Sequence, residues 1–176
     1  VTDLPDFNSE DVEIIEVIED TAPATERSGA RRVVLQALYE IDCTDHPVGQ
    51  VVAERIQDAQ PSKKQARYIQ RMVEGVVEHR AYLDIVIQRY ATEWPLEQVA
   101  IVDRNILRMA MWELVAMPAT LFNVVISEAT ELANLFGAES TPRFVNGVLA
   151  AIAADKDEIR RLLSARISSI SDEDEA

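Results

Sequence analysis

Most of what catalysis and covalent cross-linking require is scarce in this chain. A single cysteine, Cys43, excludes an intrachain disulfide and a cysteine-built metal site. Two histidines and five glycines leave few parts for a nucleophile with its base, a phosphate-cradling loop or an H-E-x-x-H pair, and none of these patterns occurs. We therefore expect no enzymatic activity, cofactor or metal. No apolar run approaches the roughly 18 residues that cross a bilayer. The opening VTDLPDFNSE lacks the basic stretch that begins a signal peptide, so a cytoplasmic protein with no membrane association is expected. Basic side chains are missing from residues 1–26, which hold nine acids, whereas residues 27–170 carry 18 acids against 17 bases. The net charge of −14 thus sits at the two ends, and the middle is nearly neutral.

What is present reads as helix throughout. Residues 1–26 have too few apolar groups for a core and read as an acidic, solvated arm, a candidate decoy competing with RNA for nearby arginines. From Ser28 a buried stripe of Ala30, Val34, Ala37, Leu38 and Ile41 predicts a helix, with Arg32, Gln36, Tyr39 and Cys43 along a neighbouring face. A second helix follows the loop Thr44–Val48 and bears Val51, Val52, Arg55 and Ile56. Gln60, Pro61 and Ser62 break it before a longer one that buries Ile69, Met72, Val73 and Val76. Val99 to Val115 is apolar almost all round, which predicts a central helix with Arg104 and Arg108 on its one polar edge. Beyond Asp155 one further amphipathic helix, with Ile159, Leu162, Leu163 and Ile167, leads into an acidic tail.

The stretch from Val124 to Ile152 predicts two helices and their junction. The first carries Val125, Ala129, Leu132 and Phe136 on one face and stops at Gly137, expected to be left-handed. Thr141 before Pro142 predicts an N-cap, and Val145, Val148, Leu149 and Ile152 form the second buried face. Gly147 is expected where another backbone packs closely. Arg143 and Phe144 then fall in a first helical turn beside free backbone N–H groups, a combination that suits the phosphates and bases of single-stranded RNA. A core phenylalanine and a solvated arginine explain the same two residues more simply. Glu128 and Glu131 read as a solvated edge or a partner surface.

The segments RRVVLQALYE, WPLEQVAIVDRNILRMAMWEL, VVISEATELANLFGAES and RFVNGVL, in this order, resemble the NusB family of transcription antitermination factors. The resemblance spans about residues 27–154. It implies an all-α fold of two packed helical sub-bundles, 27–92 and 93–154, with 155–176 as an added helix and tail. It also implies a role in which the protein, with the ribosomal protein NusE, binds boxA RNA in nascent ribosomal RNA transcripts and keeps RNA polymerase processive. Carried over by position, the RNA contacts fall on Arg27, Arg31, Arg32, Gln36, Ser140, Arg143 and Phe144, and the NusE surface on Tyr39 and Asp103. Monomer and homodimer both stay open. The chain departs from the family in its thinner basic cluster, with Ser28 and Gly29 inside it, in Ser140 where aspartate is common, and in its acidic arm. Weak RNA binding alone and stronger binding with NusE are therefore expected. A helical adaptor without RNA binding, or an RNA-positioning module like that at the front of some ribosomal RNA methyltransferases, is the alternative.

Overall fold

The computed structural model describes residues 23–117 and 119–174, with side chains described for 27–117 and 119–165. Residues 1–22, most of the expected acidic arm, and the last two residues of the tail lie outside the described residues. Helix α1 (Pro23–Cys43) is followed by α2 (Val48–Ala59) and α3 (Lys63–Tyr90). A 3-10 turn at Leu96–Gln98 leads to α4 (Ile101–Ala116), α5 (Phe122–Phe136), α6 (Thr141–Ala154) and α7 (Lys156–Asp174). No strand occurs among the described residues, and the fold is all-α as expected.

Local chemistry sets the boundaries. Gln60, at φ 46° and ψ 50°, closes α2 by donating its N–H to the Ile56 carbonyl. Two residues on, the Ser62 hydroxyl accepts from the Gln65 N–H while the Gln65 carbonyl oxygen accepts from the Ser62 N–H, a reciprocal cap that starts α3. After α3 the Gln88 amide clasps the connector, donating to the Ala91 carbonyl at 2.8 Å and accepting from the Leu96 N–H at 2.6 Å.

Helix α4 is the axis of the molecule, as its all-round apolar pattern predicts. It packs against α1, α3, α5, α6 and α7, and buries Ile106, Leu107, Met111 and Leu114 almost completely. Apart from Leu114, the apolar side chains buried along α1, α3, α4 and α6 belong to one continuous cluster. The expected polar edge of α4 is not on the surface. Arg108 is 5% exposed and lies between Asp84, which it meets with two hydrogen bonds of 2.7 and 2.8 Å, and Asp42 at 2.9 Å. Asn105 and Arg80 also donate to Asp42, so the end of α1 is fastened to α3 and α4 by charge. Burial alone would lower the Arg108 pKa, but the two carboxylates outweigh it and leave it raised.

Three glycine and capping expectations are corrected. Gly137 has φ −86° and ψ 174°, ordinary extended backbone, so it is not a left-handed stop. Its lack of a side chain matters for space instead: a Cβ there would lie 2.4 Å from the Thr141 Cβ. Thr141 in turn is not the N-cap. Ser140 precedes α6 with no side-chain cap bond, and the buried Thr141 hydroxyl donates to Asp103 at 2.9 Å. Gly147 faces open space, since a Cβ added there would meet nothing within 4 Å. The close approach expected there occurs at Gly75, where the Trp112 indole sits 2.1 Å from where a Cβ would be. Trp112 also lies against the buried His79 at a centroid distance of 4.8 Å, which makes that histidine a packing residue. Gly137→Ala is expected to cost about 1–3 kcal/mol by overpacking and to displace the start of α6. A urea melt checks the first effect, and the Thr141 hydroxyl-to-Asp103 bond, followed by NMR, checks the second.

Helix α7 extends the fold past Ala154. Ile159 and Leu163 are buried on it, and the Arg160 Nε donates to the Leu114 carbonyl at the end of α4 at 3.1 Å. Leu162, by contrast, is 41% exposed.

Candidate nucleic-acid interface

The cations of α1 do not form one surface cluster. Arg27 is half-buried and Arg32 exposed, but Arg31, expected at the RNA face, is only 2% exposed. Its Nε donates to Glu113 of α4 at 3.0 Å, a second nitrogen meets the same carboxylate, and a third lies 3.0 Å from Glu128 of α5. The guanidinium also stands 5.9 Å above the Tyr68 ring of α3. Burial pulls its pKa down, and the hydrogen bond to Glu113 with the charges of Glu113 and Glu128 more than reverses this. A permanently charged group held by two carboxylates stays inside. Arg31, expected among the RNA contacts, instead lies inside and locks α1 onto α4 and α5.

Arg32, Gln36, Tyr39 and Cys43 lie exposed in the expected row. Arg32 pairs with Glu131 of α5 at 2.8 Å, and Ser28 donates to Glu128 at 2.8 Å, so the two acids that read as a solvated edge or a partner surface are engaged by helix α1. One turn below Arg32, a groove of about 410 Å³ is lined by Gln36, Tyr39, Glu40, Arg55, Val102 and Phe136. Phe136, expected in the core, is 38% exposed and forms one wall of it. The groove's charges are already paired. Glu40 accepts from His46 at 3.0 Å and from Arg55 at 2.7 Å, and those bonds hold its carboxyl below the usual range. Tyr39 is exposed, and its hydrogen bond with Cys43 pushes the phenol up.

Four residues after Phe136 the chain reaches the start of α6. Ser140 and Arg143 are exposed, and Phe144 is half-buried at the edge of the core. The expected row of free N–H groups is largely spent: Thr141 donates to the Ala138 carbonyl, Phe144 to that of Ser140, and Pro142 has none. What this turn presents is a guanidinium, a hydroxyl and the open part of an aromatic ring. Asp103, assigned to the partner surface, adjoins the groove residue Val102 and is partly withdrawn from it by accepting from Thr141. Desolvation raises its pKa, and the Thr141 hydrogen bond opposes this only in part. A carboxyl with a raised folded-state pKa binds its proton more tightly when folded, so its charge costs stability at neutral pH and nothing once pH falls below the ordinary value of 3.8. Asp103→Asn, which keeps an acceptor for Thr141, is expected to raise the melting temperature at pH 7. That gain should vanish in melts below pH 3.8.

One group of cations escaped the sequence reading. Lys63, Lys64, Arg67 and Arg71 open α3, with no acid anywhere between Asp58 and Glu74. The signal was available in KKQARYIQR but was overshadowed by the apolar stripe that the same helix buries. Among the described residues no group of histidine, cysteine and acid side chains is arranged to hold a metal, and no helix is long and apolar enough to cross a membrane.

Comparison with known proteins covers the same span. A family model described as the NusB family matches residues 28–154. The transcription antitermination protein NusB of Chloroflexus aggregans is 42% identical over 131 residues, covering 73% of this chain and 87% of that protein. Its counterpart from Bacillus subtilis is 39% identical over 132 residues, covering 75% and 98%. Among solved structures, T. maritima NusB superposes with a TM-score of 0.68 at 33% identity, covering 75% of this chain and 96% of that one. A crystal structure of antitermination factors NusB and NusE in complex with double-stranded RNA matches with a TM-score of 0.66 at 26% identity, covering 73% and 96%. With its helices, their order and most of its length accounted for in this way, the chain belongs to the NusB family.

Proposed function

We propose that this protein is an RNA-binding transcription antitermination factor that joins NusE on boxA-type single strands in nascent ribosomal RNA transcripts and supports processive transcription by RNA polymerase. It acts by binding, without catalysis or cofactor, in the cytoplasm. The observation that carries the reading is the joining of two distant segments through α5. Glu131 of that helix holds Arg32, Phe136 reaches the groove beside Gln36, and the connector delivers Ser140, Arg143 and Phe144 four to eight residues later. Arg27, Arg32 and Arg143 supply charge for phosphates, Gln36 and Ser140 supply hydrogen bonds, and Phe144 supplies a surface for a base. Arg31 fixes the position of α1 from beneath. Tyr39 in the groove and Asp103, next to the groove residue Val102, mark the surface for NusE, and the same surface is where two copies would meet in a homodimer.

The pairing of Arg32 with Glu131 favours dependence on the partner, because RNA must displace a carboxylate to use that cation. The test is fluorescence anisotropy of a labelled boxA strand and a scrambled strand, with and without NusE, at two salt concentrations. Preference for boxA, enhanced by NusE and weakened by salt, is expected. Equal affinity for both strands in every condition would leave a helical adaptor as the better reading.

A further inference from the structure

The first turns of α3 and the start of α1 enclose a cavity of about 490 Å³ lined by Arg27, Lys64, Gln65, Arg67, Tyr68 and Arg71. Four of these are cations and none is an acid. Lys64, Arg67 and Arg71 recur at three and four residues, which places them on one face of the helix. None of the four cations forms an ion pair among the described residues. Arg32, Arg55 and Arg80, by contrast, each have a carboxylate.

Two further features point to an anionic ligand. Positive charge in the opening turns of a helix opposes the macrodipole, and α3 has no acid in its first turn to offset it. The arrangement therefore works against stability. The Tyr68 hydroxyl, in a side chain only 6% exposed, lines the same cavity and makes no well-formed hydrogen bond among the described residues. Glu113 lies close enough to act on the phenol, but its well-formed hydrogen bonds go to Arg31. The hydroxyl is a buried polar group that a bound oxygen would satisfy.

We propose that Lys64, Arg67 and Arg71 of α3, with Arg27 and Tyr68, form a second phosphate track that holds the RNA strand beyond the α1–α6 face. This rests on the RNA-binding reading above and extends it to residues outside the face described there. Arg27 is the link between the two, since it stands near the start of α1 and lines the α3 cavity. From Lys64 to Arg71 the helix rises about 10 Å, which matches roughly three nucleotides of a stacked strand at about 3.4 Å each. The contacts are to phosphate, so the track adds affinity without sequence preference.

The test uses the full chain with NusE and two RNA probes: a boxA strand, and the same strand lengthened at either end by about six nucleotides. The variants are K64Q/R67Q/R71Q and the charge-preserving K64R/R67K/R71K, in which every new residue suits a helix. The wild type should bind the longer strand more tightly, and the glutamine variant should lose that gain. Its salt dependence, log Kd against log salt, should flatten by about 2, at about 0.7 for each phosphate no longer neutralised. The charge-preserving variant should keep most of the gain. If the glutamine variant gains as much as the wild type, or the wild type gains nothing, the track is overturned while boxA preference still supports the RNA reading. An acidic segment such as residues 1–26 would then be the better occupant. If the wild type binds neither strand, both the track and the RNA reading fall.

Discussion

Replacing Glu113 with alanine is expected to destabilise the protein by about 3–5 kcal/mol, the range for removing one partner of a buried ion pair. Glu113 is 3% exposed on α4 and binds Arg31 of α1 across 82 positions of sequence. Arginine cannot shed its charge to escape burial, so the substitution leaves a guanidinium inside the protein with Glu128 alone to answer it. That remaining partner places the expected loss toward the lower end of the range. In urea the midpoint should fall by about 1–3 M with the slope unchanged. Removing the pair together, as R31M/E113L, should recover much of the loss because the desolvation of both charges disappears with them. The double variant also separates two roles for Arg31. As a positioning residue its loss should leave RNA affinity within a few-fold of wild type, whereas a direct phosphate contact would show a weaker salt dependence.

The second large effect is on binding. Phe144→Leu should weaken RNA affinity by about 5- to 150-fold, the equivalent of the 1–3 kcal/mol that base stacking on an aromatic ring contributes. Phe144 is half-buried and packs on the core edge, so alanine would confuse loss of stacking with loss of packing. Leucine keeps an apolar side chain of similar volume, with a stability change expected under about 1.5 kcal/mol, and removes the π face. Anisotropy with a boxA strand and NusE measures the first quantity, and thermal melting the second. Unchanged RNA affinity would make Phe144 a core residue only.

Helix order and the buried stripes are legible from spacing, because a period near 3.6 with polar breaks reports directly on local structure. Val145, Val148, Leu149 and Ile152 are buried as their pattern requires, and α4 is central because it is apolar on nearly every side. The illegible parts depend on residues far apart in sequence. Arg31 and Arg32 are adjacent and identical in type, yet one is buried and the other exposed: the stripe puts Arg31 beside Leu38, and the carboxylates that let it stay charged there, Glu113 and Glu128, lie on other helices. Arg108 reads as a surface edge for the same reason, since its partners Asp42 and Asp84 lie on other helices. At Gly137 the residue is right and the cause wrong. Glycine serves a left-handed turn or a close approach equally well in sequence, and here it makes room for Thr141.

The candidate site is legible as two short segments, Arg27–Tyr39 and Ser140–Phe144, but not as one surface. What joins them is α5, through Glu131 at one end and Phe136 at the other, and spacing alone makes the first a solvated edge and the second a core residue. The cations of α3 are legible in composition and spacing alone, and their relation to Arg27 requires the packing of α1 on α3.

The most direct test of the central claim, that RNA lies across α1 and the first turn of α6, is photo-cross-linking. A boxA strand carrying 4-thiouridine would be bound to the full chain with NusE, irradiated, digested with trypsin and mapped by mass spectrometry. Cross-links are expected in the peptide 144–156, which begins with Phe144, and in the peptide 33–55, which carries Gln36. A scrambled strand should give neither. Cross-links confined to α7, with none in peptide 144–156 or peptide 33–55, would contradict the placement of RNA on this face.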